Sequence, residues 1–302
     1  MSEVEINSGD YKARIRRAGA GLSALSYMGR DLVDPFQPSD TRFFRGDVLA
    51  PWPNRIEDGT YEVSGKTYTA PINESNRKTA LHGLVFGLNW EVTEQSDSTV
   101  TLEVDLPASD SYPTSLHFVT TYQLTSEGLE ITITAQNLGN LPAPYGVSIH
   151  PYLIASADSS VNEWGLKLPS SKVLEVDEVR LLPIALRDCS ELNFEFEKGS
   201  VIGTRFIDHA FKVDENKPRA ISVTSSNGGG VLMTFDETSK WIQIHTADRD
   251  GGEDSRKCLA VEPMTCPPDA FRSGQDLIWL SVGDRTASSW RIQNLQGEND
   301  EE

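Results

Sequence analysis

No window of a dozen residues in this 302-residue chain carries the spacing of an amphipathic helix, which argues against a helical fold. Long apolar runs are missing as well: none approaches the ~20 residues that a membrane-spanning helix needs. The N-terminal Met1-Ser2-Glu3-Val4-Glu5-Ile6 is acidic and lacks the apolar segment of a secretory signal, so a cytoplasmic location is expected. Basic residues are scarce, 27 against 45 acidic, and the net charge of −18 argues against nucleic acid or anionic membranes as partners. Cysteine is scarcer still. Cys189, Cys258 and Cys266 are odd in number, have no metal-ligand spacing and are expected as reduced structural thiols.

What the chain does have is period two, repeated. Val100, Leu102, Val104 and Leu106 alternate with polar partners, as do Leu129, Ile131, Ile133 and Ala135, the pattern of half-buried strands. Turn chemistry punctuates these runs at Ser64-Gly65, Ser126-Glu127-Gly128 and Asn227-Gly228-Gly229-Gly230. Further strands are expected at Tyr11–Arg17, Leu116–Leu124, Ala220–Thr224, Val231–Phe235, Trp241–Thr246, Leu277–Val282 and Ser288–Gln293. The fold is therefore read as all-β, a large two-sheet sandwich over residues 1–296, with an acidic frayed tail at 297–302. Asn54–Asn76 and Leu181–Gly203 look like long excursions, the kind of loop that builds sites.

Five polar residues stand in places that need explaining. Glu262 follows the apolar Cys258-Leu259-Ala260-Val261 and precedes Pro263, so a carboxylate is carried on a buried strand that the proline is expected to stop. His150 ends the apolar Gly146-Val147-Ser148-Ile149 and also precedes a proline, Pro151. Arg55 follows the rigid Pro51-Trp52-Pro53-Asn54, His82 sits between Leu81 and Gly83, and Asp208 interrupts Phe206-Ile207 and Ala210-Phe211. His117 alternates with apolar neighbours and is expected to face solvent, whereas His245 shares a strand face with Trp241 and Gln243. Ser148, Cys258 and Cys266 lack the glycine-flanked elbow of a hydrolase nucleophile. A cupin-like metal site from His82, His150 and Glu262 is conceivable, but it lacks the close-set pair of histidines that would make it strong.

Taken in order, Asn54-Arg55-Ile56, Leu81-His82-Gly83 with Gly87 and Trp90, His150, Asp208 with Phe211, and Glu262-Pro263 followed by Pro268-Asp269-Ala270 resemble the aldose 1-epimerase (galactose mutarotase) family. The resemblance spans roughly Tyr11 to Ile292. It implies a large antiparallel β-sandwich of the mutarotase type, a free aldohexose as small-molecule substrate, no cofactor, and a monomer or homodimer. Carried over, it makes Glu262 the general base and His150 the general acid, with Arg55, His82 and Asp208 holding the sugar. The active form would then pair an ionised carboxylate with a protonated imidazole. Ile149 before the histidine and Pro151-Tyr152-Leu153 after it depart from the family pattern, which bears on substrate identity. A hexose-6-phosphate 1-epimerase is the rival enzyme, recruiting cations from among Arg55, Arg77, Lys78, Arg249, Arg256 and Arg272. A non-catalytic sugar-binding sandwich is the rival from another class, though a pure binder has no use for a matched acid and base.

Overall fold

The period-two segments do become strands. In the computed structural model, which describes residues 3–249, 252 and 255–297, Leu116–Thr125 and Gly128–Asn137 pair antiparallel from Leu116↔Asn137 to Thr125↔Gly128. Leu129, Ile131, Ile133 and Ala135 all point into the core. Ser64 and Gly65, at φ 51° and 76°, make the two-residue left-handed turn that joins Thr60–Val63 to Lys66–Thr69. Among the described residues helix is confined to the single turn Ala270–Ser273 and three short 3-10 turns, and no helix is long and apolar enough to cross a membrane. Of the tail expected at 297–302, only Gly297 falls within the described residues.

Two antiparallel sheets dominate, one of nine strands and one of six. The six-stranded sheet runs in the order Tyr152–Leu153, Leu259–Met264, Trp241–His245, Asp208–Lys212, Lys172–Val176, Pro183–Asp188. One of its faces supplies Leu259, Val261, Ile242, Ile244 and Phe211 to the main core, where they join Phe118, Ile131, Met233 and Trp290 from the nine-stranded sheet. Side chains alternate along a strand, so the opposite face must carry the residues between these. That face has small apolar clusters at its ends: Trp241, Met264, Ala210 and Leu174 at one, Tyr152, Ala260, Cys258 and Ala247 at the other. Between them stand Glu262, Gln243, Asp208 and His245, tied by the registers Gln243↔Glu262 and Asp208↔His245.

Two sequence expectations need correction. Pro263 does not stop its strand, which continues to Met264 with the Ile242↔Pro263 and Trp241↔Met264 pairs intact. The missing proline N–H falls on the other side. There the ladder resumes only with Thr265 donating to the Val147 carbonyl, and the Ser148 hydroxyl bridges the gap, 2.9 Å from the Pro263 carbonyl and 3.1 Å from that of Ile149. Glu262 is therefore mid-strand, held from both sides. The excursion Leu181–Gly203 builds sheet edges through Pro183–Asp188 and Ser200–Val201, whereas Asn54–Asn76 does reach the site described below.

Trp290, fully buried in the nine-stranded sheet, donates through Nε1 to the Pro263 carbonyl at 3.2 Å and so joins the two layers directly behind Glu262. Trp290→Ala should cost about 3–5 kcal/mol in denaturant unfolding. Trp290→Phe, which keeps most of the volume and loses the hydrogen bond, should cost only about 1–2 kcal/mol. Equal losses in the two variants would show that the hydrogen bond, rather than the packing, joins the layers.

Candidate active site

The five site candidates Arg55, His82, His150, Asp208 and Glu262 line one cavity of about 290 Å³, near the lower end of the roughly 300–1,000 Å³ typical of small-molecule pockets. Glu262, Gln243, Asp208 and His245 form its floor on the outer face of the six-stranded sheet. His150 enters from the segment between Ser148–Ile149 and Tyr152–Leu153. Arg55 and His82 come from the paired strands Arg55–Glu57 and Thr79–Leu81, with His82 just past the second strand's end.

Glu262 and His150 meet at 3.3 Å, Oε1 to Nε2, and both are almost wholly buried. Glu262 Oε2 and His150 Nδ1 have no protein partner. Burial is the main force on both groups, and it favours the neutral forms. It drives the Glu262 carboxyl well above its ordinary range, reinforced by the charge of Asp208 and opposed by Arg55. It drives the His150 imidazole down to about 3, with His245 adding to the effect. Both shifts run toward the neutral forms, which favours the proton on Glu262 in the resting pair. The expected active arrangement, an ionised carboxylate beside a protonated imidazole, holds the same number of protons, and the two interconvert by one transfer along the 3.3 Å contact.

Arg55 is no surface cation. It is buried, with Nε and Nη2 on the two Glu74 oxygens at 2.8 and 3.1 Å and Nη2 3.5 Å from Asp208 Oδ2. Gln243 Nε2 donates to Asp208 Oδ1 at 2.5 Å, and Gln243 Oε1 is buried without a partner. Burial alone would raise Asp208, but Arg55, then His245 and His209, and the Gln243 hydrogen bond outweigh it and hold the carboxylate below its usual range. Glu74 is held down in the same way, mainly by Arg55 against burial.

His82 adopts a left-handed backbone, φ 65°, unusual for a side-chain-bearing residue and a sign of local constraint. Its neighbour Gly83 is required because a Cβ there would lie 2.1 Å from the Ala50 carbonyl oxygen; the glycine admits backbone rather than ligand. The Asn54 N–H donates to His82 Nδ1 at 3.2 Å, so the neutral ring keeps its proton on Nε2. That bears on a metal centre. His82, His150 and Glu262 offer ligand atoms within 4.8 Å of one another. Yet the His82 nitrogen left to bind an ion carries a proton fixed there by Asn54, so the donor set does not suit a metal.

Gln243, Glu74, Phe44 and Tyr152 also line the cavity and were not among the sequence candidates. Gln243 had a legible signal, a polar residue two places from Trp241 and His245 on an apolar strand. Glu74 had none, because only the hairpin at residues 60–69 folds it back onto Arg55. His117 stays outside the site, partly exposed and 2.8 Å from Asp105. All three cysteines are unpaired and buried. Of the other cations named from the sequence, Arg77 lines the cavity, bound to Glu74 at 2.8 Å. Arg256 pairs with Asp248, and Arg272 with Glu57. Lys78 is not among the lining residues.

A two-layer antiparallel sandwich with a buried carboxyl–imidazole pair on the outer face of one sheet defines a mutarotase-type sandwich. The GalM/aldose epimerase homologue of C. elegans superposes with a TM-score of 0.85 over 98% of this chain and 99% of that one, at 21% identity. The galactose 1-epimerase of Lactobacillus acidophilus superposes with a TM-score of 0.80, covering 97% of this chain and 95% of that one at 17% identity. Escherichia coli K12 protein YihR is 39% identical over 282 residues, 93% of this chain and 89% of its own. Human galactose mutarotase is 25% identical over 232 residues, 72% of this chain and 66% of its own. With the aldose 1-epimerase profile matching residues 2–293, the chain belongs to the aldose 1-epimerase family and is an isomerase of that type.

The His82 assignment is directly measurable. Nitrogen-15 NMR of the imidazoles should find His82 as the neutral Nε2–H tautomer, failing to titrate through the ordinary imidazole range because burial and then His150, Arg55 and His245 depress its pKa. An Nδ1–H tautomer, or protonation near the free-imidazole value, would overturn the assignment and reopen the metal question.

Proposed function

We propose that the enzyme interconverts the α and β anomers of a free aldohexose, with Glu262 as general base and His150 as general acid. The observation that carries this reading is the 3.3 Å Glu262–His150 contact in a buried cavity, with one unpartnered polar atom on each group. When the proton passes from Glu262 to His150, base and acid are generated together. Glu262 then takes the proton of the C1 hydroxyl while His150 gives one to the ring oxygen. The bond between C1 and the ring oxygen breaks, leaving an aldehyde and a C5 hydroxyl. Rotation about C1–C2 and reclosure with the roles exchanged yields the other anomer, and the pair ends with the proton count it began with. Each transfer contributes about 10²–10⁴-fold.

Arg55 is poised to bind the sugar without moving, since Glu74 and Asp208 fix its guanidinium. His82 Nε2–H supplies a donor toward the developing oxyanion, and Asp208 with Gln243 accepts sugar hydroxyls. No cofactor is required by this scheme. A single sandwich unit acting in the cytoplasm is in keeping with the one main hydrophobic cluster running from Val4 to Ile292 and with three unpaired thiols.

A hexose-6-phosphate substrate is the second reading, and Arg249 is what favours it. Its guanidinium lies 4.4 Å from the ring centre of Phe43 and 5.7 Å from that of Tyr152, both lining the cavity. Among the described residues it forms no ion pair. Against this, the two arginines inside the cavity are already bound to Glu74. The neutral hexose is preferred.

Polarimetric mutarotation of glucose, galactose and their 6-phosphates tests both readings. Glu262→Gln should fold normally and lose about 10²–10⁴-fold in kcat on the preferred sugar. For the wild type, kcat/KM should fall on the acid side as a second proton enters the pair and on the alkaline side as the single proton leaves. His150 is depressed and Glu262 raised, so the acid limb should lie below the ordinary imidazole value and the alkaline limb above the ordinary carboxylate value. Near-normal turnover in Glu262→Gln would remove the base from the scheme. Faster turnover of the 6-phosphates, lost in Arg249→Gln, would favour the second reading.

A further inference from the structure

Behind His150 lies a charged pair that the acid–base scheme does not use. Arg16 Nη2 and Asp47 Oδ1 meet at 2.5 Å, with side chains only 1% and 2% exposed. Burial pushes the Asp47 carboxyl up to about 7 even with Arg16 pulling it down, a measure of how unwelcome a charge is there. Buried pairs of this kind add little stability over well-packed apolar residues of the same size. The chain nevertheless makes room for it. A Cβ at Gly19 would lie 2.5 Å from Asp47 Oδ1, and one at Gly21 would lie 2.7 Å from Arg16 Nε. The Gly19-Ala20-Gly21 run is thus a cradle shaped to the pair.

The pair anchors a segment that touches both site histidines. The Gly46 N–H donates to the His150 carbonyl at 2.8 Å, and the His150 N–H donates to the Asp47 carbonyl at 3.1 Å, so the His150 backbone is clamped from both sides. Three residues before Asp47, the Phe44 carbonyl accepts from the Asp47 N–H at 3.1 Å, and the Phe44 ring packs 4.7 Å from the His82 ring. Phe43 and Phe44 hold left-handed backbones, φ 64° and 52°, a strained conformation that persists only where its surroundings enforce it. Arg16 also donates through Nη1 to the Asp40 carbonyl at 2.8 Å, fixing the other end of the segment.

We propose that Asp47, through its ion pair with Arg16, is a positioning residue that holds His150 in register with Glu262. The pair acts through backbone on the proton donor, so its loss should lower kcat and leave KM nearly unchanged. A 1 Å displacement of a reacting group is enough to cost up to about 10²-fold in rate. The inference rests on His150 being the acid.

Three variants decide it: Asp47→Asn, the apolar double replacement Arg16→Met with Asp47→Leu, and His150→Asn as control. Asp47→Asn should lose about tenfold or more in kcat with KM within about twofold. The double replacement should recover wild-type thermal stability while kcat stays low. Recovery of kcat together with stability would show that the pair only supports the fold, and would overturn the proposal. So would a loss confined to KM. Should either Asp47 variant fail to fold, the conservative Arg16→Lys decides in its place. It keeps the charge while replacing the forked guanidinium, and the proposal requires kcat to fall with KM unchanged; unchanged kcat would contradict it. Wild-type kcat in His150→Asn would mean that His150 is not the acid, a failure of the underlying reading rather than of the clamp.

Discussion

Everything in this protein's site follows from removing one carboxyl group from water. Glu262 is placed mid-strand in the interior of a sheet, 2% exposed, with an imidazole as its nearest polar partner. Desolvation on that scale makes two separate charges costly and leaves a neutral pair with one mobile proton as the stable arrangement. The neighbouring charges preserve that state. Arg55 is a guanidinium that would draw the proton away from Glu262, and Glu74 and Asp208 engage it first. The same burial that favours the neutral pair at rest strengthens every electrostatic interaction within it.

The fold supplies the placement by simple geometry. A sheet that buries Leu259, Val261, Ile242 and Ile244 on one side must present Glu262, Gln243 and His245 on the other. With apolar clusters closing both ends of that face, the polar row occupies the middle, where the segments carrying Arg55, His82 and His150 descend on it. The floor is rigid because it is sheet, and its one interruption, the missing N–H of Pro263, is bridged by Ser148 and braced by Trp290. The roof is precise for a different reason: left-handed backbone at Asn54 and His82, with Gly83 against Ala50, lets two chain segments approach closely enough to fix the imidazole.

The sandwich was legible from alternation alone, since Leu129 to Ala135 and Ala220 to Thr224 read as strands and are strands. The five site candidates were legible as polar residues out of keeping with apolar surroundings, and all of them line the cavity. What could not be read was anything decided by long-range pairing. Glu74 reaches Arg55 only because a hairpin turns the chain back, and Arg16 reaches Asp47 across two glycines whose role is invisible without the third dimension. How strongly Glu262 and His150 are pushed toward their neutral forms was hidden for a related reason: sequence reveals which groups titrate, but desolvation is a property of the packed site.

The most direct test of that central claim is infrared difference spectroscopy on the resting enzyme, with wild type compared against Glu262→Gln in labelled and unlabelled forms. A proton held on Glu262 at neutral pH predicts a protonated-carboxyl C=O band that shifts with carboxyl isotope labelling and vanishes in Glu262→Gln. A symmetric carboxylate band assigned to Glu262 in its place, accompanied by an imidazolium signature from His150, would contradict the account.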